Sequence, residues 1–133
     1  MSLSPTEITA IGQIAITVSS LERSTAFYRD ALGLRFLFAA GPNLAFLDVG
    51  GVRLMLTAPE GAFTPGSSSI LYFKVADIAA TYPRLKERGI AFVDEPHLVA
   101  PMPDHDLWMT AFKDPDGNTL VLMCELPKGR AVP

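Results

Sequence analysis

The sequence has one cysteine, two histidines, no excess of positive charge and no long apolar run, and each shortage removes a class of explanation. A single cysteine cannot close an internal disulfide, and Cys124 sits in an apolar stretch where it reads as a buried structural thiol. A reactive thiol needs exposed, electropositive surroundings. With 11 Lys and Arg against 14 Asp and Glu, the net charge is -3. No basic block is present to track a phosphate backbone, and no basic amphipathic stretch to lie on a membrane, so neither nucleic acid nor membrane is an expected partner. No run approaches the roughly 18 apolar residues of a membrane span. The first residues lack the basic region and apolar core of a secretion signal, and a soluble cytoplasmic protein is expected.

What is present is enough apolar material for a core: 49% of 133 residues are hydrophobic. That suffices for one domain, or for two small modules sharing one, without disulfide or metal. Residues 1–9 show no periodicity and read as a tail. Residues 12–18 alternate, with Ile14, Ile16 and Val18 on one face and Gln13, Ala15 and Thr17 on the other, as in a half-buried strand. Ser19 with Glu22 three residues on has the form of a capping box, and the apolar spacing that follows predicts a helix closed by Gly33. Residues 34–39, 44–49 and 52–57 read as strands separated by Gly41-Pro42-Asn43 and Gly50-Gly51 turns. The result is a βαβββ unit over residues 11–57. Residues 58–69, rich in Pro, Gly and Ser, read as a connector.

The order then repeats. Residues 70–75 alternate, Asp77 is placed to cap a helix over 78–88, Gly89 ends it, and a short strand follows at 90–93. Setting Gln13 against Ile70 brings Val18 onto Val75 and Leu21 onto Ile78. The second unit, residues 70–125, differs by a longer excursion at 94–106 that reads as a loop and holds three prolines and both histidines. It closes with strands 107–113 and 119–124 around Asp114-Pro115-Asp116-Gly117-Asn118, a turn in which Gly117 and Asn118 tolerate the left-handed conformation. The expected fold class is α+β, with two βαβββ modules making one domain.

Residues 18–34 carry Ser24, Phe27, Tyr28, Leu32, Gly33 and Leu34 in the spacing SxxFYxxxLGL, and residues 112–118 read Phe-Lys-Asp-Pro-Asp-Gly-Asn. The first segment resembles the first-helix signature of the vicinal oxygen chelate superfamily, and the second resembles its closing hairpin. This superfamily includes glyoxalase I, extradiol dioxygenases, methylmalonyl-CoA epimerase, fosfomycin-modifying enzymes and bleomycin-resistance proteins. The resemblance implies that each module forms a curved mixed sheet cradling a cavity, where most of the enzymes hold a divalent metal. It also implies that the metal-ligand positions here are Gln13, Met55, Ile70 and Val121. An open-site metal enzyme needs about three His or carboxylate ligands. Only Gln13 offers an oxygen, Met55 offers a soft thioether, and Ile70 and Val121 offer nothing. No metal and no other cofactor are therefore expected.

His97 and His105 have two readings: exposed or locally hydrogen-bonded loop residues, or catalytic candidates at a pocket. Asp104-His105-Asp106 sets carboxylates beside an imidazole and suits a general base. A relocated metal site from both histidines and Glu125 is the variant of that idea. A pocket without metal still needs apolar walls and a few directional polar groups. The residues expected to line it are Gln13, Arg53, Met55, Tyr72, Trp108 and Val121, with core packing as the other reading of Trp108. The first expectation is a metal-free protein that binds or sequesters an apolar or aromatic small molecule. The alternative is a lyase, isomerase or dioxygenase using a relocated metal or a loop histidine, and an accessory or regulatory protein is a third. Because the modules leave sheet edges and an apolar face to cover, a homodimer is expected.

Overall fold

The computed structural model describes residues 7–128, so most of the expected tail lies outside the described residues. The first module contains β1 (Gln13–Thr17), α1 (Leu21–Ala26) continuing as a π-helical turn at Phe27–Ala31, β2 (Arg35–Ala40), β3 (Leu44–Val49) and β4 (Val52–Thr57). Its sheet runs β1-β4-β3-β2, with β1 parallel to β4 and the other pairs antiparallel. The second contains β5 (Leu71–Lys74), α2 (Ile78–Glu87), β6 (Ala91–Phe92), β7 (His97–Pro101), β8 (Asp106–Lys113) and β9 (Thr119–Leu126). Its sheet runs β5-β9-β8, with β6 and β7 both on the outer edge of β8. The first strand of each module lies parallel to its last, as a βαβββ unit requires, and the α+β class is the one expected.

Four local expectations are corrected. Ser20, not Ser19, caps α1 by accepting from the Arg23 amide at 3.2 Å, while Ser19 bonds to Asp116. The first helix changes at Phe27 into a π-helical turn that places Tyr28 in the core. Gly117 alone takes positive φ in the closing turn, at 81°, and no non-glycine among the described residues does. Asn118 instead spends its side chain on Asp114 and on the Ser68 amide. Finally, the excursion at 94–106 is not all loop. Asp94 interrupts the edge by accepting the Ala111 amide at 2.8 Å and the Thr110 hydroxyl at 2.7 Å, and pairing with β8 resumes at His97. The side chain replaces a ladder carbonyl for one step, so β6 and β7 together occupy the place β2 holds in the first module. Pro101 ends this edge strand, where its missing N–H costs no ladder bond.

One face of each sheet carries the apolar core. Ile16, Leu47, Leu54 and Leu56 of the first module join Ile78, Leu85, Phe112, Leu120 and Leu122 of the second in a single buried cluster. The modules are also locked by polar contacts. Asp114, buried in the closing turn, accepts from the Asp116 and Asn118 amides, from the Asn118 side chain and from the Tyr28 hydroxyl at 2.7 Å. Burial, with the Asp114 carboxylate next to it, pushes the Tyr28 phenol far above its ordinary range, so it stays a donor. Asp116 takes the Ser19 amide at 3.1 Å and also its hydroxyl. Gly66 packs against this turn: a Cβ there would lie 3.3 Å from the Asp116 carbonyl oxygen.

Candidate functional site

The two outer faces are read from strand register. In the first sheet Gln13 is opposite Arg53, Ala15 opposite Met55, Met55 opposite Phe46, and Phe46 opposite Phe38. All point away from the Ile16–Leu54–Leu56 side, because successive residues of a strand alternate. The Gln13 amide nitrogen lies 3.7 Å from the Met55 sulfur, and the Phe38 and Phe46 rings stack at 4.7 Å. The Arg53 guanidinium sits 5.6 Å from the centre of the Phe46 ring. Asp48 is its cross-strand neighbour, yet Arg53 makes no ion pair among the described residues.

In the second sheet Tyr72 is opposite Val121, which is opposite Ala111; Lys74 is opposite Met123, which is opposite Met109. Trp108 is opposite Cys124, two residues from Leu122, and packs on the buried cluster instead. It does not share a face with Val121, and its place among the pocket residues is corrected. Lys113 pairs with Thr119, so odd-numbered residues of both hairpin strands share a face and Trp108 lies on the other, which is its core-packing reading.

Arg53 and Tyr72 come to one place. They line a cleft of about 290 Å³ between the modules, with Ile14, Val49, Val52 and Leu54 on one side and Ile70, Leu71 and Phe73 on the other. Consecutive residues of β5 from both its faces touch this space, so it lies along the free edge of that strand. A second cleft, about 240 Å³, adjoins it and is lined by Leu32, Leu34, Lys74, Val75, Thr81, Leu85 and Leu122. Val49, Tyr72 and Phe73 line both. Gln13 lines neither, Met55 lines a separate cleft with Thr17, Thr57 and Phe63, and Val121 stays beside Tyr72 on the sheet. Leu71, Phe73 and Val49 escaped sequence reasoning because face alternation selects one parity, whereas an edge collects both.

The histidines part company. His97 is exposed on β7, with Nδ1 2.8 Å from the Glu95 carbonyl oxygen. His105 is partly buried in the turn before β8, with Nδ1 2.7 Å from Asp104 and Nε2 4.0 Å from Glu125, which itself pairs with Lys74 at 3.6 Å. The His105 hydrogen bond holds the Asp104 carboxyl below the usual aspartate range. The relocated metal site does not assemble: among the described residues no three His, Cys, Asp or Glu side chains gather to share an ion. The positions of the superfamily's ligands do not fit a metal either, since Ile70 and Val121 carry no donor atom and the Gln13 amide is turned to a thioether.

Paired βαβββ modules, a shared core beneath them and open outer faces define a protein of glyoxalase-like fold. The superfamily profile described as Glyoxalase/Bleomycin resistance protein/Dioxygenase matches residues 10–122, and this chain belongs to that superfamily. Among curated proteins it is 30% identical over 126 residues to the uncharacterized protein YetH of Bacillus subtilis, covering 86% of this chain and 98% of that one. YraH of the same organism is 30% identical over 124 residues, covering 81% and 92%. Among solved structures, a superfamily member from Sphaerobacter thermophilus superposes with a TM-score of 0.73 at 29% identity, covering 89% of this chain and 98% of that one. A lactoylglutathione lyase from Agrobacterium tumefaciens superposes at 0.70 with 22% identity, covering 90% and 96%, a likeness of fold alone.

Proposed function

We propose that this chain is a metal-independent member of the superfamily that binds or sequesters an apolar or aromatic small molecule carrying an anionic group. The observation that carries this reading is the cleft lined by Tyr72 and by Arg53, which has no carboxylate partner among the described residues, together with apolar residues from both modules. A guanidinium beside an aromatic ring suits a carboxylate on a flat or apolar body. The protein is soluble and cytoplasmic and acts as a homodimer, in which the exposed apolar residues Phe38 and Val99 are covered. Thermal shift with a panel of aromatic acids tests the binding reading. A ligand at a hundredfold excess over its Kd adds about 2.7 kcal/mol, which raises Tm by several degrees. That rise is expected to disappear in Arg53→Gln. An unchanged rise in that variant removes the site, and silence across the panel removes the reading.

A second reading is favoured by the Asp104–His105 pair, in which a carboxylate orients an imidazole whose other nitrogen faces Glu125. In that case the protein is an enzyme with His105 as general base. His97, engaged by its own loop carbonyl, is the weaker candidate.

A further inference from the structure

The two adjoining clefts form one groove along the free edge of β5, and we propose that it takes an elongated apolar carboxylate, a fatty-acid-like molecule with its head on Arg53 and its tail running past Val49 toward Leu85. This rests on the reading of the Arg53–Tyr72 cleft as a ligand site and specifies what fills it. The charge distribution selects the ligand. Among the described residues Arg53 and Lys74 are the only charged residues lining the groove, one in each cleft, and no Asp or Glu lines either. Lys74 is already paired with Glu125, whereas Arg53 has no ion pair among the described residues, so the anionic head belongs at Arg53.

Length selects further. The groove follows β5 from Ile70 to Val75, five residue steps of about 3.3 Å each, or about 16 Å. Carbon–carbon bonds of about 1.5 Å advance an extended chain by about 1.3 Å each, so about twelve to thirteen carbons span it. An aromatic acid fills only the first cleft. A peptide added as a strand fits less well, because β5 is four residues long and only Tyr72 and Lys74 turn their peptide groups away from β9.

The test is calorimetric titration of the full-length protein with saturated acids of six to sixteen carbons below their micelle concentrations, beside benzoate, phenylacetate and decanol. Affinity is expected to rise with length, by up to about fourfold per methylene buried, and to level off near twelve carbons. Arg53→Gln should weaken every acid about tenfold or more while keeping the rise with length, and decanol should bind the parent and that variant alike. Thr81→Trp, on α2, and independently Val75→Phe fill the second cleft. Either one, once circular dichroism shows it folded, should end the rise near eight carbons and leave phenylacetate binding unchanged. If aromatic acids bind through Arg53 but affinity is flat with chain length, or if both cleft-filling variants bind the whole series as the parent does, the elongated ligand is wrong and the short-ligand reading survives. If no acid of either kind binds, both fall. Binding of an extended apolar peptide in place of the acids also overturns the proposal.

Discussion

The two modules share a topology and differ in almost every chemical detail. In the first, the outer edge is one six-residue strand, β2, with a register shift between Phe36 and Phe38, and the outer face carries Gln13, Arg53, Met55 and a Phe38–Phe46 stack. In the second, the equivalent edge is broken at Asp94 into β6 and β7, and its outer side gathers His105, Glu125 and Lys74. Helix α1 slides into a π-helical turn to bury Tyr28, whereas α2 is an uninterrupted helix capped by Asp77. The lesson is that the repeat conserves the pairing ladder, which backbone groups alone can make, while side chains assign each copy its own task. The first module presents Arg53, which has no ion pair among the described residues. The second presents a paired imidazole and the closing turn that holds the modules together.

The largest effect should come from breaking that lock. Asp114→Ala removes a buried acceptor of four hydrogen bonds and strands the Tyr28 hydroxyl and the turn amides. A loss of about 4 kcal/mol in denaturant unfolding is expected, the range for a buried charge network losing its centre. A loss under about 1 kcal/mol would mean that the modules are held by their shared apolar core alone. Tyr28→Phe should cost less, about 1.5–2 kcal/mol, because Asp114 keeps its three other donors. A double-mutant cycle with Asp114→Asn measures whether the two residues act together.

Asp94→Ala sharpens the comparison between edges. It leaves the Ala111 amide without its acceptor, and about 1–2 kcal/mol of stability should go with it. Hydrogen exchange should quicken at Ala111 and not in the β2–β3 ladder, and equal quickening in both modules would contradict a local role for Asp94. The smallest effect concerns the imidazole. In the parent, Asp104 titrates below the usual range because His105 donates to it, so the favourable contact is present above the ordinary aspartate pKa and is lost as pH falls through the lowered one. His105→Gln should return the Asp104 carboxyl toward its ordinary value, as read by carboxyl-carbon NMR, with little change in stability at this exposed pair. An Asp104 titration unmoved by the substitution would show that another group sets it.

Much of the fold is local and could be read from the chain. Alternation in residues 13–17 and 52–57, the Asp77 cap, the Gly33 and Gly89 stops and the Asp-Pro-Asp-Gly-Asn turn depend on steric and hydrogen-bonding preferences that a few residues carry by themselves. The repeat followed from the same signals recurring in order. The choice between the pocket and core readings of Trp108 is not legible in the sequence, because its side of the sheet depends on hairpin register across the turn, a single count that reverses every side chain after it. Strand β7 was hidden because a segment with Pro96, Pro101 and Pro103 looks like a loop until a neighbouring strand supplies its partners. The cleft was hidden for a similar reason. Sequence alone determined which residues could face one way along each strand. Only the tertiary structure decided that Arg53 of one module and Tyr72 of the other line one cleft, because that depends on how two sheets settle over a common core, and burial is a property of the whole assembly.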